Sequence, residues 1–345
     1  MNDERILSQL AFTIGICTLS VLLPVEQCAA AQKSETLIVR PGTPVDGPAP
    51  RTPITPKTGT LFSAPLPSNR FNVVARSPEI FYRKSFDFTV ALILDGTFHC
   101  SGVLVGTDLV LTASHCVTEI LSHDQVSGYS KDRLKVHLAR DGKKDCYKVL
   151  DPLNRGTAEI CNGSNIALRE PPYVNPHFLE NNGAPKNDVA VLVLQEPVQP
   201  QHLPTIAKVE QGLKQSVVTI PGYGYTGLPG DLPGDNVEVG WQSANIEHDA
   251  GQISWDAFAE SESTSCFFDS GGPVLLGKLH GYSDEKPTLI GIIVGLQDSA
   301  DATVDKNPAV LCGRGLAVNA LLSAPETHAW LCLAFPSRKE VCTDQ

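Results

Sequence analysis

From about residue 71 onward the chain alternates short apolar runs with turn-forming residues. "FTVALIL" at 88–94 is one such run, and "SGVLVGTDLVLTA" at 101–113 reads as a strand, a Gly-Thr-Asp turn and a second strand. "DVAVLVL" at 188–194, "SVVTI" at 216–220 and "TLIGIIVGL" at 288–296 continue the pattern. Each run is rich in β-branched residues and bounded by Gly, Pro, Asn or Asp, which is how short strands are punctuated. Many short strands without helices between them predict an antiparallel all-β fold such as a barrel. A helical pattern occurs only near the end, in "SAPETHAWLCLAF". There Ser323 as an N-cap and Glu326 three residues on form a capping-box pattern. No internal repeat is present.

The first 70 residues have a different texture. Residues 10–25 are mostly apolar, and Ala29, Ala30 and Ala31 follow. That size and order predict a secretory signal peptide over 1–31. The run is short for a membrane anchor, the alternative reading. The leading "MNDER" carries two acids beside Arg5, where such signals usually open basic. Residues 32–70 contain prolines 41, 44, 48, 50, 53, 56, 65 and 67. Proline removes backbone donors and disfavours helix at the preceding residue, so this stretch is expected to be an extended propeptide or linker. A globular domain is expected over 71–345.

Composition narrows the class. The 345 residues are 42% hydrophobic and 19% charged, enough for a sizeable core and against global disorder. The net charge of -11 argues against nucleic acid or an anionic membrane as the main partner. Eight of the ten cysteines lie beyond residue 31: Cys100, Cys116, Cys146, Cys161, Cys266, Cys312, Cys332 and Cys342. An even set suits disulfides in an oxidising compartment, so a secreted or periplasmic protein is expected. No C-x-x-C pair occurs, which argues against a zinc ribbon; no metal or cofactor is expected.

Three motifs carry candidate chemistry. "LTASHC" ends a strand with His115, "NDVAVLVL" opens one with Asp188, and "DSGGPV" sets Ser270 in a Gly-rich turn. Acyl transfer needs these three roles. A serine hydroxyl is a weak nucleophile near neutral pH, an imidazole takes its proton, and a carboxylate orients the imidazole. The remaining histidines lack such a context.

On these residues the sequence resembles the trypsin-like, or chymotrypsin-family, serine proteases. The family's T-A-A-H-C stands here as "TASHC", its N-D-I-A-L-L as "NDVAVL" and its G-D-S-G-G-P as "FDSGGP". "PGYGYTG" at 221–227 is similar to the turn between the family's two barrels, and "THAWL" to its closing helix. The resemblance implies two six-stranded antiparallel β-barrels, a C-terminal helix and a cleft site. His115 and Asp188 would come from the first barrel and Ser270 from the second. It also implies peptide or protein substrates, no cofactor, and a monomer with no membrane attachment once the signal is removed. Cys100–Cys116 and Cys266–Cys312 follow as family disulfides, leaving Cys146–Cys161 and Cys332–Cys342 as local pairs. The 73 residues from His115 to Asp188 exceed the family's usual spacing. An insertion is therefore expected within 124–176, either a plain surface loop or a partner-binding one.

Several positions depart from the family. Its oxyanion hole uses two backbone N–H groups, here those of Ser270 and Phe268, and Phe268 stands where the family has glycine. Glycine permits backbone angles that cost other residues, so the Phe268 Cβ could turn this peptide away. In the family's spacing Thr264 lies at the base of the specificity pocket, with Ser265 adjacent, Gly313 on the wall and Val294 on the substrate-pairing edge strand. An uncharged base predicts a small or medium uncharged guest rather than Lys or Arg. Asp269 matches the family's activation-pocket acid, which pairs with a freed N-terminus in the zymogen scheme. No basic residue directly precedes Val73 or Val74, and cutting after Arg70 would expose Phe71. The expected function is a secreted serine endopeptidase with an acyl-enzyme intermediate. The alternative is a weak or inactive pseudoprotease that binds a partner.

Overall fold

The structure is a computed structural model. It describes residues 85–118, 133–139, 144–150, 156–180, 185–200, 202–209, 212–225, 233–234, 237–256, 264–279, 286–297 and 316–342. The expected signal peptide, the proline-rich segment, the candidate activation site around 70–74, Cys312 and Gly313 lie outside the described residues.

Two closed β-barrels make up the fold. The first is built from β1 (Thr89–Leu94), β2 (Thr97–Leu104), β4 (Leu134–Ala139), β5 (Asp145–Leu150) and β6 (Thr157–Ala167). They close in the order β1-β4-β6-β5-β2, with β2 returning to β1. From β2 the sheet continues outward through β3 (Leu109–Thr112), β8 (Ala190–Val193) and β7 (Tyr173–Val174). The expected double barrel is therefore present, but this barrel closes with five strands rather than six. The reason lies in β2, whose second edge is divided. β5 pairs with it at Thr97 and β3 at Val103 and Leu104, so β3 leaves the ring as a flap.

The second barrel has six strands: β10 (Gln215–Gly222), β11 (Glu238–Glu247), β12 (Gln252–Asp256), β13 (Pro273–Leu276), β14 (Thr288–Gln297) and β15 (Leu316–Leu321). They close as β13-β10-β11-β12-β15-β14 and back to β13. β9 (Thr205–Ile206) adds a short parallel pairing to β14. Alternate inward positions fill each interior. Val90, Leu92, Val103, Val136 and Val149 are fully buried in one barrel; Val218, Ile253, Trp255, Val274 and Ile290 are fully buried in the other. Burial of such side chains contributes roughly 1.5–3 kcal/mol each, which is what holds strands this short together.

The segment expected as an insertion is not mere loop. Residues 134–139, 145–150 and 157–167 supply three of the five first-barrel strands. The Cys146–Cys161 disulfide joins β5 to β6 at directly paired positions. Asn162 turns its amide oxygen toward His137 Nε2, 2.9 Å away.

A short helix, α1, spans Pro176–Glu180, and the C-terminal helix, α2, spans Pro325–Ala334. The cap of α2 is Ala324 rather than Ser323, with no side-chain cap bond. Pro325 at the first helical position forces its predecessor into extended backbone, and that residue becomes the cap. Among the described residues no helix is long and apolar enough to cross a membrane.

Candidate active site

His115 opens a helical turn just after β3, and Asp188 sits just before β8. β3 and β8 are ladder neighbours, so strand pairing alone brings the two residues together. Ser114 Oγ adds a buried tie, donating to the Val189 carbonyl at 2.8 Å. Both Asp188 oxygens face His115. Oδ1 accepts the His115 backbone N–H at 2.9 Å, and Oδ2 lies 2.6 Å from Nδ1. A carboxylate can only accept here, so Nδ1 carries the proton and Nε2 is left as the basic nitrogen. The Asp188 side chain is 2% exposed and that of His115 38%, so the acid is sheltered while the imidazole meets the cleft.

Asp188 is positioned from behind as well. The preceding residue, Asn187, is buried. Its Nδ2 donates to Glu326 Oε2 at 2.9 Å, and Thr327 Oγ1 donates to its Oδ1 at 3.2 Å. Lys186 Nζ is 3.4 Å from the same Glu326 oxygen. The Asn187 amide, with the Lys186 charge, holds the exposed Glu326 carboxyl below its usual range. The first turn of α2 thus grips the loop that carries Asp188.

Ser270 lies in the turn between Cys266 and β13. Backbone bonds from Gly271 N to Ile293 O (2.7 Å), Ile293 N to Gly272 O (2.8 Å) and Ser101 N to Ser270 O (2.8 Å) lock this turn to β14 and β2. Gly271 has φ +86, and a Cβ there would fall 2.1 Å from Thr112 Oγ1, so only glycine fits. The disulfide sulfur of Cys116 lies 3.6 Å from His115 Nε2 and 3.7 Å from the Ser270 carbonyl oxygen, between the two residues. Ser270 Oγ donates to the Val294 carbonyl at 2.8 Å rather than to His115. Val294 sits at a register shift in the β14–β15 ladder, between Ile293 and Gly295. Such a shift turns a carbonyl out of the ladder.

Phe268 adopts φ +74, the left-handed region that glycine enters freely. Its own N–H and that of Ser270 donate to nothing among the described residues. The Phe267 carbonyl accepts from Tyr225 N at 3.0 Å. A planar trans peptide therefore directs the Phe268 N–H to the opposite side, away from Tyr225. The reversal of this peptide that the Phe268 Cβ could cause is not what the chain adopts.

Asp269 is fully buried. Its oxygens accept from Gly224 N at 2.8 Å and Cys266 N at 2.9 Å. Burial raises its carboxyl to about 7, against the lowering effect of those two bonds. Gly224 explains the glycine-aromatic-glycine turn, because a Cβ there would lie 2.3 Å from the Asp269 carboxyl carbon.

Of the pocket residues, Thr264 is fully buried and its Oγ1 accepts from Trp255 Nε1 at 3.2 Å. Ser265 is buried, its hydroxyl without a partner among the described residues, and Val294 is half-buried. Disulfides join Cys100–Cys116, Cys146–Cys161 and Cys332–Cys342, and Cys266 is also disulfide-bonded. Among the described residues, the two groups of metal-capable atoms, Cys100/His115/Cys116 and Cys146/Glu159/Cys161, rest on disulfide sulfurs, not thiolates.

Sequence reasoning did not single out Ser101, Ser114, Asn187, Glu326 or Thr327 as site residues. Their roles come from contacts with distant parts of the chain. Only the polar residues directly beside His115 and Asp188 carried a local signal. The family model described as trypsin matches residues 80–310, more than half of the chain, and the chain belongs to the trypsin family of serine proteases.

Proposed function

We propose that this chain is a secreted serine endopeptidase that cleaves peptide bonds through Ser270, His115 and Asp188. The observation that carries the reading is the His115–Asp188 pair. The buried carboxylate fixes the imidazole tautomer at 2.6 Å and leaves Nε2 basic beside the Ser270 turn. In the proposed cycle the Ser270 hydroxyl turns from Val294 to His115 and attacks the scissile carbonyl carbon, while Nε2 takes its proton. The backbone N–H groups of Phe268 and Ser270 hold the oxyanion. The C–N bond then breaks, the amine leaves with the proton from His115, and Ser270 remains acylated. Water repeats the sequence in reverse and releases the acid. No cofactor enters these steps.

The edge of β14 suits the extended backbone of a substrate, whose N–H would take over the Val294 carbonyl and release Ser270. Thr264 and Ser265 carry no charge, which supports an uncharged guest in the specificity pocket. The six cysteines paired in three disulfides among the described residues, the disulfide-bonded Cys266, and the signal-like 1–31 stretch support export. Residues 32–70 would serve as an activation peptide whose removal supplies an ammonium to Asp269.

A second reading, a weak or inactive protease that binds a partner, draws on one observation. The Ser270 hydroxyl is engaged by Val294 and not by His115. A fluorophosphonate probe on secreted, processed protein, beside Ser270→Ala and His115→Ala, separates the two. Labelling of the parent alone is expected. Absence of labelling, before and after limited proteolysis near Arg70, would establish the second reading instead.

A further inference from the structure

Phe268 occupies a backbone conformation that its Cβ disfavours, and the peptide planes on both sides of its Cα are pinned. On one side, Tyr225 N donates to the Phe267 carbonyl at 3.0 Å. On the other, Ser101 Oγ donates to the Phe268 carbonyl at 2.9 Å. Two planes fixed on either side of one Cα fix φ and ψ between them. Ser101 is itself immobilised. It is fully buried, its N–H donates to Ser270 O at 2.8 Å, its carbonyl accepts from Thr112 Oγ1 at 2.9 Å, and its Oγ accepts from Tyr223 N at 3.3 Å. The Phe268 ring packs on Phe98 with centroids 5.2 Å apart, and Phe98 in turn meets Tyr147 at 6.4 Å. A residue in a sparsely populated region persists only where its surroundings over-determine it.

We propose that Ser101 and Phe98 are positioning residues for the oxyanion donors: together they hold Phe268 in a glycine-like turn and keep its N–H aimed at the reacting oxygen. The hydroxyl fixes the peptide after Phe268. The Phe98 ring gives the Phe268 side chain a place to pack in the left-handed conformation and in no reversed one. This rests on the reading of Ser270 as a nucleophile. It differs from ordinary core packing in one consequence. If the two residues merely stabilise the barrel, their loss acts whatever stands at 268. If they compensate for a Cβ, their loss matters only while a Cβ is there, because glycine adopts φ > 0 unaided.

The test is the second-order rate of fluorophosphonate labelling, since the probe's phosphoryl oxygen occupies the oxyanion position. Ser101→Ala and the milder Phe98→Leu are made in the full, processed chain, each in the Phe268 protein and in Phe268→Gly. Melting temperatures confirm that each variant is folded. With Phe268 present, each substitution is expected to slow labelling by about tenfold or more, within the 10²–10³ limit for loss of a whole donor. In Phe268→Gly the same substitutions are expected to slow it by less than about threefold, because the glycine has no penalty to offset. Equal losses in the two backgrounds, or no loss in either, would overturn the positioning role while leaving the nucleophile assignment intact. A parent that never labels would overturn the nucleophile assignment, and the positioning role with it.

Discussion

At the residue scale, the resting Ser270 hydroxyl is held by a carbonyl that a substrate backbone would also seek. That competition has a kinetic signature. A peptide substrate whose P1 amide N–H bonds Val294 would both dock and free the nucleophile. Methylating that nitrogen in an otherwise identical substrate is expected to lower kcat by about tenfold or more, in addition to raising KM. Loss of uniform binding alone would raise KM and leave kcat unchanged, and that result would dismiss the link between Val294 and the Ser270 rotamer. The triad was legible in the sequence because each member sits in its own short motif, and the strands around it place the members without further instruction. Ser101 was not legible as a partner of Phe268. The two are 167 residues apart, and nothing local to "HCSG" announces a hydroxyl aimed at another barrel. The conformation of Phe268 was not legible for the same reason. Its Cβ argues locally against φ +74, and the contacts that hold it there are all distant in the chain.

At the scale of elements, the strands foreseen from apolar runs formed where the runs lie. β1, β3, β8, β10 and β14 match them to within a few residues at each end. β11 escaped notice because Gly240, Ser243 and Asn245 dilute its apolar positions, although buried residues still alternate along it. Within 124–176 the strands β5 and β6 are not legible, because both are largely polar on their outer face, which hides their place in the barrel. The helix α2 was foreseen, but its grip on the Asp188 loop was not. That grip makes a prediction. Asn187→Ala removes the amide that joins Thr327 to Glu326, leaving Thr327 Oγ1 only the longer bond to the Lys186 carbonyl at 3.4 Å and Glu326 only Lys186, at a cost of about 1–3 kcal/mol. A drop of several degrees in Tm and a severalfold slower fluorophosphonate labelling are expected. Glu326→Gln, whose amide oxygen can still accept from Asn187, is expected to change labelling little. Asn187→Ala at parental Tm and labelling rate would show that the Asp188 loop holds itself.

For the molecule as a whole, the second barrel contains one buried acid whose charge depends on what lies beside it. Asp269 keeps its proton up to about pH 7 in the folded protein, whereas an unfolded chain releases it near the ordinary carboxyl value of 3.8. Between those values the native state binds the extra proton, so this group's contribution to stability is full below about pH 4 and declines as pH rises toward 7. Above about 7 both states are ionised and the contribution is level. Asp269→Asn removes the titration. The Tm difference between parent and Asp269→Asn should therefore favour the parent most at pH 4.5 and shrink steadily up to pH 7.5. A difference that stays constant across that window would mean that Asp269 is ionised throughout in the folded protein. The same measurement addresses activation. An ammonium brought to Asp269 by removal of the proline-rich segment would stabilise the carboxylate and pull its titration down. Processed protein should then show a flatter profile over pH 4.5–7.5 than the full chain, and its labelling rate should rise with processing. If the processed and full chains share one profile and one labelling rate, the acid is satisfied from within the barrel, and the segment before residue 71 plays no part in arming Ser270.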